Sequence, residues 1–209
     1  MISVSLAWRR GAEWILPFDA DELFFARGGL VADQLRASDA AIMHAHFHHM
    51  VTTEPTRAVD ENTQFVLDAT AAFPGKVAAR SHPLLEIIPG NHSASRVGAQ
   101  VQGLFIAHAL YRHPDQVARK FRQGMKAVES GKVTMAGEHW ARGSRLDDTA
   151  IMDVWDRISH GLPDERILFE ANGPMVRVRP LSWRTWDPDD QIPRPAGELG
   201  GPKDGHGTR

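Results

Sequence analysis

Apolar and polar positions alternate most clearly from Ala41 to Val51, AIMHAHFHHMV. Ile42, His44, His46, His48 and Met50 fall on one face of an extended segment, and Met43, Ala45, Phe47, His49 and Val51 on the other. That pattern predicts a strand with one polar face. Upstream, Glu13 to Phe18 (EWILPF) is almost wholly apolar and breaks abruptly into Asp19, Asp21 and Glu22, as a buried strand does where it leaves a sheet. Pro17 weakens that strand signal without removing it. After Gly28-Gly29, Leu30, Val31 and Leu35 predict a short helix. Further strands are expected at Lys76 to Arg80, at Leu84 to Ile88 and at Val101 to Ala107, the second closed by Pro89-Gly90-Asn91-His92. Residues 52–75 contain Pro55 and Pro74-Gly75 and read as a long loop with one helical turn near Gln64 to Ala72.

The clearest helix signal begins at Pro114 and Asp115, where Pro is tolerated in a first turn and Asp suits the dipole. Val117, Phe121, Met125 and Val128 keep helical spacing, and Gly131 ends the run. A shorter helix is expected at Asp153 to His160. Ile167 to Ala171, Asn172-Gly173 and Pro174 to Arg179 together read as a hairpin. From Asp187 onward Pro, Gly and charges dominate, so 187–209 is expected to be a disordered tail and 1–186 the folded unit. Strands interleaved with helices place the chain in the α/β class with a mixed sheet.

Charge and composition narrow the function. The 209 residues carry 24 Lys and Arg against 26 Asp and Glu, a net charge of −2, which disfavours a general nucleic-acid binder. The absence of Cys removes disulfides, thiolate metal sites and cysteine nucleophiles, so any metal must be held by oxygen or imidazole. The opening residues have charges after a short apolar run, the wrong order for a signal peptide, and no uncharged apolar run spans a bilayer. A cytoplasmic protein without a transmembrane segment is expected, with peripheral membrane contact left open. One stretch departs from the overall balance. From His108 to Arg145 there are eight Lys and Arg (112, 119, 120, 122, 126, 132, 142, 145) against three acids (115, 129, 138), which is 8 − 3 = +5.

Asp19-Ala20-Asp21-Glu22 sets two carboxylates two residues apart after a buried run, a spacing that can grip a divalent cation bridging a diphosphate. Acidic pairs at strand ends are more often solvated turns. Three further segments follow in order: Lys76-Val77 to Arg80, then Gly90-Asn91-His92, then His108-Ala109-Leu110-Tyr111-Arg112 with Gln116, Lys120 and Gly124. Together with WILPFDADELFF they resemble family 2 glycosyltransferases of the GT-A fold, in the branch whose Asp-x-Asp motif runs on into Glu. The resemblance covers roughly residues 9–131. Ala109, Leu110 and His113 stand where that branch has an aromatic residue, a proline and a serine.

The resemblance implies a transferase that moves a sugar from a nucleotide-sugar donor to a saccharide or other acceptor, with Mg²⁺ or Mn²⁺ as cofactor. Asp21 would ligate the metal, Asp19 would touch the ribose or a metal-bound water, and His92, or else His108, would complete the metal shell. Arg112 and Lys120 would contact donor phosphate. Family members carry a nucleotide-binding segment ahead of the Asp-x-Asp strand, so the chain is expected to be the C-terminal portion of such a domain, with a missing N-terminal half supplied by another chain or lost. Glu138, beside Trp140, is the candidate base for the acceptor hydroxyl, with Asp68 and Glu86 behind it and Glu22 read as structural. Two other classes stay open: a metallohydrolase or oxygenase built on His44, His46 and His48, and a non-catalytic binding remnant.

Overall fold

A computed structural model of the chain describes residues 4–60, 62–131 and 138–179. In chain order the elements are α1 (Val4–Arg9), β1 (Trp14–Ile15), β2 (Glu22–Phe25), α2 (Val31–Arg36), β3 (Ile42–Thr52), β4 (Phe65–Asp68), β5 (Ala72–Arg80), β6 (Gln100–Tyr111), α3 (Pro114–Glu129), α4 (Glu138–Gly143), α5 (Asp148–Ser159) and β7 (Met175–Val178). The fold is mixed α/β. Among the described residues, strand β3 is the axis of one seven-stranded sheet. Along one edge β6 runs parallel to it, from Ile42↔Gln100 to Val51↔Tyr111. Along the other, β5 covers the first half and β4 the last three residues, both antiparallel. β1 lies outside β5, β7 outside β4 and β2 outside β6, again antiparallel. The sheet is therefore mainly antiparallel, with β3 and β6 as its parallel pair.

Burial on both faces explains the length of β3. On one face Met43, Ala45 and Phe47 meet Leu35 of α2 and Leu104 and Ile106 of β6. At the far end of β3, Val51 joins Val66 and Tyr111 under Val117 and Phe121 of α3 and Ile151, Val154, Trp155 and Ile158 of α5. The α5 residues recur at helical spacing, and its N-cap Asp147 accepts a hydrogen bond from the Ala150 N–H. At the start of α3 the His113 ring accepts from the Asp115 N–H and Pro114 occupies the first turn. The opposite face of the sheet carries Phe25, Met50, Phe65, Leu67, Ala107 and Val178.

The expected α2, β3 and α3 are present, while β6 and α5 run longer than anticipated. Four expectations fail. Of the buried strand expected at Glu13 to Phe18 only the two-residue, half-buried edge strand β1 forms, Phe18 is exposed, and the acids lead into β2 instead of leaving a buried strand. The helical turn near Gln64 to Ala72 is instead strand β4 followed by the start of β5; all four β4 residues are buried between β3 and β7. Leu84 to Ile88 is no strand, and only an isolated bridge joins Ile87 to Ala94. Pro83 and Pro89 flank it without N–H groups to give a ladder, and Leu84 is exposed. The hairpin over 167–179 does not form: β7 pairs with β4, and residues 164–169 fold on themselves through Asp164↔Phe169, with Leu168 at φ +52°. The expected tail at 187–209 lies outside the described residues.

Gly75 marks the closest backbone approach, at the bulge between β3 and β5. A Cβ at this position would fall 1.6 Å from the Ala45 carbonyl oxygen. Backbone on both sides must then move, so Gly75→Ala is expected to destabilise the fold by about 1–3 kcal/mol in urea denaturation. An unchanged midpoint would mean the two strands are not this close.

Candidate functional site

The Asp19–Glu22 segment closes on itself before β2 begins. The Glu22 N–H donates to the Asp19 carbonyl at 3.1 Å, and the Asp19 N–H donates to Glu22 Oε2 at 3.0 Å. This reciprocal pair puts the Glu22 carboxylate inside the protein, with its side chain 1% exposed. It bonds backbone, as the structural reading of Glu22 anticipated. Asp21 continues the ladder by accepting from the Ala109 N–H, and Glu22 stands opposite His108.

Two lysines from other elements clamp this segment. Lys76, in the β5 run KVAAR, is 6% exposed, and its Nζ lies 3.0 Å from Asp19 Oδ2, 3.4 Å from Glu22 Oε1 and 2.8 Å from the Gly90 carbonyl oxygen. All three donors of the ammonium thus have an oxygen to face. Gly90 (φ +89°) and Asn91 (φ +62°) form the left-handed turn that aims that carbonyl inward. From α3, Lys120 Nζ reaches Asp21 Oδ2 at 3.2 Å and the Leu110 carbonyl at 3.4 Å, and sits 5.7 Å from the centre of the Tyr111 ring. His108 Nε2 lies 3.6 Å from the same Asp21 oxygen. Burial works to raise the Asp21 pKa, but contact with His108 and the Lys120 charge outweigh it and hold the carboxyl well below the usual range.

Behind Asp21, aromatic rings surround His108: Phe47 at 5.0 Å and His49 at 5.3 Å between centroids. His49 is stacked on Phe47 and its Nδ1 is enclosed without a partner. Burial first, then the charges of His108 and Lys120, push the His49 pKa down to about 4.

No family model, curated protein or solved structure matches the chain.

Of the residues singled out in the sequence, Asp19, Asp21, Lys120 and His108 belong to this cluster, and the turn bearing His92 is tied to it through Gly90. His92 itself hydrogen-bonds the Gly75 carbonyl through Nδ1 at 2.6 Å. Arg112 is half-buried in the walls of two small cavities beside the cluster. Glu138 lies apart from this cluster: it pairs within its own helix, with Arg142 at 2.6 Å, and meets neither Asp19 nor Asp21 among the described residues. Trp140, the expected sugar platform, packs against the core beneath α3. Asp68 is fully buried and holds the N–H groups of Thr70 and Asn172 together with the Asn172 side-chain amide. Glu86 is exposed, and among the described residues only its backbone is hydrogen-bonded, to Ser95.

The expected metal ligands do not surround one point. Asp19 faces Lys76 and Asp21 faces Lys120, so each carboxylate already has an ammonium where the cation would sit. Among the described residues no three His, Asp or Glu side chains converge as a ligand set. The arrangement as it stands does not fit a resident Mg²⁺ or Mn²⁺. Nor do His44, His46 and His48 gather around an ion: His44 contacts Gln100, and the buried His48 contacts the Asp68 carbonyl between Phe25 and Phe105. Lys76 was read only as part of a resembling segment and not as the hub, and His49 was not singled out as a site residue. The available signals were a lysine inside an otherwise apolar strand and a histidine in step with the apolar face of β3. No helix among the described residues is long and apolar enough to cross a membrane.

Proposed function

We propose that the chain transfers a sugar from a nucleotide-sugar donor to a saccharide or related acceptor, on a GT-A-like sheet. One observation supports this reading above the others: the four ordered segments that resemble family 2 glycosyltransferases, spread over a hundred residues, meet at one place through Lys76 and Lys120. Asp19 and Glu22 come from the first segment, Lys76 from the second, Gly90 from the third and His108 with Lys120 from the fourth. A chance resemblance has no reason to bring them together. Asp21 is kept ionised, and Lys120 is partly exposed, so a donor phosphate would compete with Asp21 for its ammonium. Lys76, closed in on all sides, sets the frame rather than meeting the donor.

Mass-spectrometric assay of UDP- and GDP-sugars with mixed saccharide acceptors, with and without Mg²⁺ or Mn²⁺, tests the reading. Donor turnover is expected, lost in Asp21→Asn and kept in Asp33→Asn, whose carboxylate lies on the exposed surface of α2. Folded protein that neither consumes nor binds any donor, or turnover indifferent to Asp21, would sink it.

A further inference from the structure

Beside the start of α3 lies a small cavity of about 140 Å³ whose wall includes Thr56, Arg57, Arg112, His113, Asp115 and Arg119. Three guanidinium groups and an imidazole thus face a single carboxylate. That carboxylate is already used, since Arg57 Nη2 is 2.8 Å from Asp115 Oδ2. The guanidinium groups of Arg112 and Arg119 have no acceptor among the described residues. For Arg119, exposed on the helix, water suffices. Arg112 is different: its Nε is enclosed by protein and unpaired. The enclosed Nε is out of a ligand's reach, but the rest of the guanidinium lines the cavity with no acceptor among the described residues, so it can take one from outside.

The backbone around Arg112 is fixed on both sides. Its carbonyl accepts from Thr52 Oγ1 at 3.0 Å and from the Thr56 N–H at 2.8 Å, and its N–H donates to Gln116 Oε1 at 3.3 Å. The backbone that carries Arg112 is thus held in place before any ligand arrives. We propose that this cavity binds the phosphate group of a phosphate monoester or of inorganic phosphate. Two uncompensated guanidinium forks suit a dianion with several oxygens, and the volume suits a group of that size. Arg112 also borders a neighbouring cavity of about 230 Å³ that reaches Asp21 and Glu22. An ester anchored here by its phosphate has room to extend its alcohol part toward the candidate site. Phosphate binding in this cavity does not depend on sugar transfer.

Calorimetric titration of the full chain at low ionic strength, with inorganic phosphate and with glycerol 3-phosphate, provides the test. Saturable binding is expected for at least one of them, weakened about tenfold by Arg119→Ala and further by Arg112→Gln, and unchanged in Lys126→Ala on the same helix. Arg119→Ala alters an exposed side chain, so its loss of affinity is readable even if the Arg112 variant folds poorly. Tighter binding of glycerol 3-phosphate identifies an ester as the ligand class, and tighter binding of inorganic phosphate identifies the free ion. No saturable binding of either, or equal weakening by Lys126→Ala, overturns the proposal.

Discussion

Lys76→Met is expected to cost the fold about 3–5 kcal/mol in urea denaturation, the range for removing one partner of a buried ion pair. Methionine nearly preserves the volume, so the loss is electrostatic. Glu22 keeps the Asp19 N–H on Oε2, but its other oxygen faces Lys76 at 3.4 Å inside the protein. Without the ammonium that charge stays buried, and the Gly90 carbonyl loses its donor as well. Asp19 adds little to the cost because its side chain is 58% exposed and water takes over. The double variant Lys76→Met with Glu22→Gln should recover much of the loss, since a neutral amide can still accept from Asp19. A single variant that costs under about 1 kcal/mol would remove Lys76 from the centre of the site.

The sequence showed the separate pieces of this site better than their pairing. Strand β3 and helix α3 were legible because each sets polar positions against apolar ones at its own period. Strand β4 was hidden because Phe65, Val66, Leu67 and Asp68 are all buried and leave no alternation to read. Its partner β7 lies more than a hundred residues away in sequence, so the nearby apolar run at 167–171 looked the better match. The acids at 19 and 21 carried a recognisable spacing. Whether they face a metal or a lysine depends on where α3 and β5 dock, and packing against the sheet decides that. Lys76 had the most informative position of all, one charge in a buried strand, yet its three acceptors lie 57, 54 and 14 residues away along the chain.

Lowering the pH from 7 to 4.5 is expected to destabilise the protein, with His49 as a major contributor. Folded, His49 titrates at about 4, because burial and the charges of His108 and Lys120 oppose its protonation more than Asp68 favours it. Unfolded, it titrates near the ordinary value of 6.5. Between those two values the unfolded chain holds a proton that the folded chain lacks. Stability is therefore full above pH 6.5 and falls as the pH drops toward 4, by up to about 3 kcal/mol from this group. Asp21 acts in the same direction but at lower pH: its carboxyl is held low, so its contribution persists through this window and is lost only in stronger acid. Burial also lowers the pKa of His46, with help from the His44 charge, and of His139, with help from Lys120, so some slope remains without His49. His49→Phe keeps a ring stacked on Phe47 and removes the proton. Urea unfolding at pH 7 and pH 4.5 should show the variant losing about 2 kcal/mol less than the native chain between the two conditions. Identical losses would mean that His49 takes up its proton in the folded protein as readily as in water, and that the ring cluster behind Asp21 is open to solvent.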